Sequence, residues 1–226
     1  MLAASTYGYA VRARDIAGNA SALTPTVSVT TPAPAPLVFS DGFESGDLSA
    51  WRTTSGLVVQ TGAVHTGSYA ARGSTTNGAT YAKVPLPGSY ADAFSRIWFE
   101  VISQTDQINL LRYRDGAGAS LGYVYLASSG RLGFHNDATG KNTLSSVSPG
   151  PGWHALELEM SPSAKPGGLG TLRIWLDNTV VTDLSATSVD VGSTPVGGMQ
   201  IGETQTGRSY DIVFDDVAFG TSRIGP

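Results

Sequence analysis

Carboxylates crowd into two short stretches that lie far apart along this chain. The first, FSDGFESGDLSAW at residues 39–51, carries Asp41 and Glu44; the second, DIVFDDVAFG at residues 211–220, carries Asp215 and Asp216. Brought side by side, these four would surround a hard cation with oxygen and would mark the start and finish of one domain. Consecutive strand residues point to opposite faces, so only one of Asp215 and Asp216 can ligate through its side chain unless a bulge intervenes. Transition metals are a poorer match, because His65, His135 and His154 show no paired spacing and the chain has no cysteine.

A second chemistry is recognition of sugars, whose apolar C–H faces and hydroxyl rims call for aromatic rings beside planar polar groups. Three sets meet that description: Trp98 with Arg96 and Glu100, Trp175 with Arg173 and Asp177, and Tyr113, Tyr123 and Tyr125 near Arg112 and Arg114. For glycosidic bond cleavage, two carboxylates must flank one oxygen. Glu157 and Glu159 are the pair to test, since they share a strand face with side chains starting about 7 Å apart. Paired surface charge is the reading they favour over catalysis.

These residues sit in short runs with alternating character. In Ser95–Val101 the residues Ile97, Phe99 and Val101 share one face and Arg96, Trp98 and Glu100 the other. Leu156, Leu158 and Met160 oppose Glu157 and Glu159, and Leu172, Ile174 and Leu176 oppose Arg173, Trp175 and Asp177. Further strands are read in LVVQTG, SYAARGS, TYAKVPL, INLLRYRD, LGYVYLAS, RLGFHND, TVVTDL, GGMQIGE and DIVFDDVAF, with Gly, Asn, Asp or Pro between most of them. The expected fold is all-β, a two-sheet antiparallel jelly-roll sandwich whose inter-sheet core is made by the aliphatic faces.

Composition agrees. At 226 residues the chain can bury a substantial core, only 14% of residues are charged, and Gly, Ser and Thr abound. The net charge of −4, with Lys and Arg scattered along the sequence, predicts no electrostatic stripe for a polyanion and argues against nucleic acid as a partner. The absence of cysteine excludes thiol catalysis and disulfides. No apolar run reaches the roughly 18 to 20 residues that span a bilayer, and residues 1–20 lack the basic start and apolar block of an export signal.

The first thirty residues read differently. Two strands, Tyr7–Arg14 and Thr26–Thr30, are joined through Asp15, Gly18 and Asn19. The run Tyr9, Val11, Ala13, Asp15, Ala17, Gly18, Asn19 and Ser21 resembles the last two strands of a fibronectin type III domain. Two strands bury no core of their own, so the expectation is that the chain starts inside a longer protein. Docking of the hairpin by strand addition, onto the main domain or onto another copy, is the alternative. The alternating prolines of TPAPAP then predict a semi-rigid linker. The expected organisation is a partial fibronectin type III unit at 1–31, a linker at 32–36 and the main domain at 37–226.

In the main domain, Gly152, Trp153, His154, Leu156, Leu158, Leu172, Ile174, Trp175, Leu176, Asp177 and Asn178 resemble a hairpin of the concanavalin-like lectin/glucanase and laminin-G-like superfamily. The likeness extends to DGFESGDLSAW and FDDVAFG. It implies a structural calcium near Asp41, Glu44 and Asp215 or Asp216. It also implies a glycan-handling module of a secreted bacterial protein. The Glu-x-Asp-x-x-Glu run of the fold's glucanases and the Gln-x-His of its lyases are absent, and no nucleophile elbow supports a serine triad. The chain is therefore read as a noncatalytic, extracellular carbohydrate-binding or adhesion module. A structural role, packing on sister domains or self-associating through its strands, is the alternative.

Overall fold

The computed structural model describes residues 5–31, 33, 36–75 and 78–226, and the chain divides into two compact units, 1–36 and 37–226. In the first unit, β1 (Thr6–Tyr9) and β2 (Val27–Thr30) form an antiparallel hairpin in which Thr6 faces Thr30 and Tyr9 faces Val27. The first strand is shorter than the expected Tyr7–Arg14: beyond Tyr9 the arms are joined by single backbone hydrogen bonds from Thr24 to Val11 and from Ser21 to Ala13 and by an isolated bridge between Arg14 and Ala20. Asp15 accepts hydrogen bonds from both the backbone and the side chain of Asn19 and so closes the turn. Of the linker, Pro32, Pro34 and Ala35 lie outside the described residues.

The second unit opens with β3 (Phe39–Asp41), β4 (Thr53–Ser55), β5 (Val58–Gln60) and β6 (Ala70–Thr75). Then come β7 (Thr80–Tyr90), β8 (Ala93–Gln104), β9 (Ile108–Arg114) and β10 (Ser120–Leu126). Next are β11 (Leu132–Asn136), β12 (Lys141–Leu144), β13 (Trp153–Ser161) and β14 (Gly170–Leu176). The last are β15 (Thr179–Val180), β16 (Ala186–Val189), β17 (Val196–Glu203) and β18 (Tyr210–Gly220). A single 3-10 turn, Thr182–Leu184, replaces the second half of the strand expected in TVVTDL. No described helix is long and apolar enough to cross a membrane.

The strands form two antiparallel sheets packed as a jelly-roll sandwich. The front sheet has the order β12-β11-β10-β9-β17-β7-β4, and the back sheet the order β15-β14-β13-β8-β18-β6-β5, with β16 added on β14 and β3 on β18. The two acidic stretches do meet, because Asp41 lies opposite Val217 and Phe39 opposite Phe219. Ile97, Phe99, Leu156, Leu158, Met160, Ile174, Ile212 and Phe214 come from the back sheet, and Ile108, Leu111, Tyr113, Val124, Met199 and Ile201 from the front. All are buried together between the layers, the burial that drives the sandwich to close.

Candidate functional site

At the acidic corner each carboxylate meets N–H groups. Asp41 accepts from the Phe43 amide at 2.8 Å and from Trp51 Nε1 at 2.7 Å, which fixes the left-handed Phe43 (φ 61°) and seats its ring against Trp51. A bulge in β18 between Asp215 and Ala218, with Asp216 at φ 45°, turns both aspartates toward residues 65 and 66. Asp215 Oδ2 accepts the amides of His65 and Thr66 at 2.9 and 3.2 Å, and Oδ1 accepts the amide of Asp216 at 2.7 Å. Burial pushes the Asp215 carboxyl above its ordinary value, against the pull of those amides. Asp216 receives His65 Nδ1 at 2.7 Å, so that nitrogen carries the ring proton, and also the Thr66 hydroxyl. Glu44 accepts the amides of Ser68 and Tyr69, both at 2.9 Å.

The calcium expectation can be weighed on this geometry. Asp41 and Asp215 do not fit a cation, because their oxygens are committed to N–H donors where calcium needs six to eight convergent oxygens. Among the described residues no group of three or more His, Asp or Glu side chains is arranged to hold a metal ion. Glu44 is exposed and Asp216 is 23% exposed, and the two flank Gly42. Their oxygens also hold donors, the amides of Ser68 and Tyr69 on Glu44 and the His65 ring and Thr66 hydroxyl on Asp216, so only their exposure sets this pair apart from Asp41 and Asp215.

The aromatic sets expected to face a ligand fare unequally. Trp98 lies on the outer face of the back sheet as expected, but His65 stacks on it at 3.7 Å and also leans on Trp153. Trp175 is buried under the guanidinium of Arg223, 4.6 Å from its ring. Arg96 donates to the carbonyls of Asp216 and Gly225, and Arg173 pairs with Glu159 at 3.1 Å. Glu157 accepts the amides of Ile224 and Gly225, so the last residues of the chain are strapped across this face. Glu100 is half-buried beside Trp153. Trp98, Arg96, Glu100, Trp175 and Arg173 thus form no open platform, and Glu157 and Glu159 are buried and already partnered. Tyr113 also departs from expectation: flanked by outward Arg112 and Arg114, it points into the core, where its hydroxyl donates to the Leu158 carbonyl at 2.9 Å. Tyr125 is 6% exposed and lies flat over Gly133, where a Cβ would come within 2.3 Å of its ring.

The open chemistry is on the outer face of the front sheet. One residue from each strand lines up there: Thr53, Lys83, Gln200, Arg112, Tyr123, His135 and Asn142 are successive cross-strand neighbours. The Arg112 guanidinium lies 4.0 Å over the Tyr123 ring, which stacks at 4.9 Å on His135, and His135 Nδ1 is 2.9 Å from Asn142 Oδ1. Arg112 donates to the Ser120 hydroxyl, which donates on to Asp137. Gln200 is fully buried beneath the row and accepts two hydrogen bonds from Arg114, whose third goes to the Gly118 carbonyl. Lys83 lies 4.4 Å over the Tyr81 ring. Beside the row, Arg52, Lys83, Arg114 and Asp115, together with several glycines, line an open cavity of about 520 Å³.

Tyr123, Arg112 and Arg114 were singled out in the sequence; Lys83, Gln200, His135 and Asn142 were not. The available signal was a lone polar residue between apolar ones, as in Ala82-Lys83-Val84 and Met199-Gln200-Ile201; His135 and Asn142 sit beside other polar residues and carry no such signal.

No protein-family model and no curated protein matches the chain. Solved structures do. The chain is similar to the cellulose induced protein Cip1, with a TM-score of 0.66 and 17% identity over 83% of this chain and 99% of that one. It is similar to a sialidase at TM-score 0.60 and 9% identity, over 87% of this chain and 20% of the sialidase. A carbohydrate esterase from the Shiga toxin-encoding bacteriophage phi24B matches at TM-score 0.57 and 16% identity, over 81% of this chain and 97% of that one. At these identities the likeness shows the fold, an all-β jelly-roll sandwich.

Proposed function

We propose that this chain is a noncatalytic, extracellular carbohydrate-binding module that holds a polysaccharide against the outer face of its front sheet. The observation that carries this reading is the cross-strand row from Lys83 to Asn142, which sets rings and hydrogen-bonding groups side by side on a rigid, open surface. Two of the structurally similar proteins are, by name, a sialidase and a carbohydrate esterase, which supports a glycan-handling role for the fold here too. The test is a glycan array followed by titration of the best hit. Tyr123→Ala should weaken binding about fivefold to tenfold, while Trp98→Ala should leave the affinity of the folded protein unchanged. The reverse result would move the site to the back sheet.

A structural role has one observation in its favour: the amino-terminal hairpin exposes Val11, Ile16, Leu23, Val27 and Val29. An inert array together with concentration-dependent self-association would favour that role. On this proposal the hairpin is the end of a fibronectin type III unit. For the cation, we propose that calcium binds through Glu44 and Asp216 with backbone carbonyls. Calcium at a hundred times its dissociation constant should then stabilise the fold by about 2.7 kcal/mol. The rise in melting midpoint should vanish with a chelator and in Asp216→Asn. An unchanged midpoint removes calcium.

A further inference from the structure

Lys83, Arg112 and Arg114 enter from β7 and β9, on either side of Gln200 in β17, and carry three positive charges onto one face. None of the three forms an ion pair with a carboxylate among the described residues, whereas Arg72, Arg173, Arg208 and Arg223 all do. The nearest acids are engaged elsewhere: Asp115 accepts the amides of Ala117 and Ala119, Asp137 takes the Ser120 hydroxyl and faces His135, and Glu203 is buried against Arg208. Arg112 Nε is buried with no hydrogen-bond partner. Among the described residues Lys83 has no hydrogen-bond or ion-pair partner either and lies over the Tyr81 ring.

A protein does not hold cations together without cost. Each of the three is kept below its usual affinity for a proton, first by loss of water, and for Lys83 and Arg114 next by the neighbouring arginines. Buried donors without acceptors carry a similar penalty. Gln200 adds to the expense, since a fully buried amide is spent on fixing the Arg114 guanidinium and thereby its charge. What relieves all of this at once is an anion supplied from outside.

We infer that this face selects anionic glycans, with Lys83 and Arg112 each receiving an acid group and Arg114 supplying a fixed charge between them. The inference rests on the glycan reading above and names the substrate class within it. Lys83 and Arg112 stand two strands apart, about 10 Å, which is wider than one pyranose ring, so the two acid groups belong to different sugars of one chain. Tyr81 and Tyr123, each beneath one of the cations, hold them in place through their ring faces. The acid is a uronate carboxylate or a sulfate ester, two sources of one chemistry that titration can separate.

The experiment titrates the whole chain with oligogalacturonate, with the same oligosaccharide after its carboxylates are reduced to alcohols, with a sulfated glucan, and with a single-stranded oligonucleotide. Oligogalacturonate or the sulfated glucan should bind, the tighter of the two identifying the acid. Carboxyl reduction should cost at least tenfold in affinity where the uronate is the ligand, and added salt should weaken binding. Lys83→Gln and Arg112→Gln should each cost about tenfold with an unchanged melting midpoint. Lys83→Arg should restore much of the loss, which a purely structural lysine would not show. Equal binding of the reduced and acidic oligosaccharides, indifferent to both variants, overturns the inference and leaves the glycan reading standing. Absence of binding to any glycan removes both, and an oligonucleotide that binds more tightly than either glycan overturns the class of ligand.

Discussion

Gly202→Ala is expected to destabilise the domain by about 3 to 5 kcal/mol, combining left-handed strain with overpacking. Gly202 has φ +80° near the end of β17, opposite Tyr81, and a Cβ there would lie 2.2 Å from the Thr80 carbonyl oxygen. That oxygen is backbone in a paired strand and cannot swing aside. Relief would require β7 and β17 to part, which also separates Lys83 from Gln200. At roughly 2 to 4 °C per kcal/mol for a chain of this length, the melting midpoint should fall by about 6 to 20 °C. Gly207→Ala is the control: it has φ +79° but nothing within 4 Å of the added Cβ, so it isolates the strain. Equal costs at the two positions would refute the pairing of β7 with β17.

Asp215→Ala should cost about 2 to 4 kcal/mol, because the amides of His65, Thr66 and Asp216 lose their acceptor where little water can replace it. Loss of order should spread to His65 and its stack on Trp98, so a change in tryptophan fluorescence should accompany the loss of stability. The pH dependence has a definite sign. The folded carboxyl is raised above the unfolded value of 3.8. The folded state therefore holds the proton more tightly, and stability from this group is lost as pH rises from the unfolded toward the folded value. Asp215→Asn lacks that loss. Denaturant melts across the acid range should show the advantage of wild type over Asp215→Asn narrowing as pH increases, and a widening gap would contradict the assignment.

Much of the sandwich can be read from alternation alone. Ile97 and Phe99 in β8, Leu156, Leu158 and Met160 in β13, and Leu172, Ile174 and Leu176 in β14 are buried as their period-two spacing requires. The pattern fails where the covering segment has no period. Glu157, Glu159 and Trp175 read as solvent-facing, yet the aperiodic tail around Arg223–Gly225 closes over Glu157 and Trp175, and Arg173 covers Glu159. The strands β3, β4, β12 and β16 are only three or four residues long, too short to show a period.

The front-sheet row was hidden for another reason. Lys83, Arg112 and Gln200 are separated by dozens of residues, and only register sets them shoulder to shoulder. Cations scattered along the sequence argued against a positive surface, but the sheet order converts that scatter into proximity. The acidic corner shows the converse. The meeting of residues 39–41 with 217–219 was foreseen, but not that the carboxylates would be turned onto amides of residues 65–69, since a bulge at Asp216 leaves little mark on composition.

The pairing of β3 with β18 has a mechanical consequence. The amide of Val38 bonds to the carbonyl of Phe219 at 2.9 Å, so Leu37 and Gly220 lie at the same end of one strand pair. Tension applied between them would peel that ladder open one bond at a time rather than shearing all its bonds together. The entry strand is therefore built to let go first under tension, whereas the tail beyond Gly220 stays tied to Glu157 until those bonds part as well.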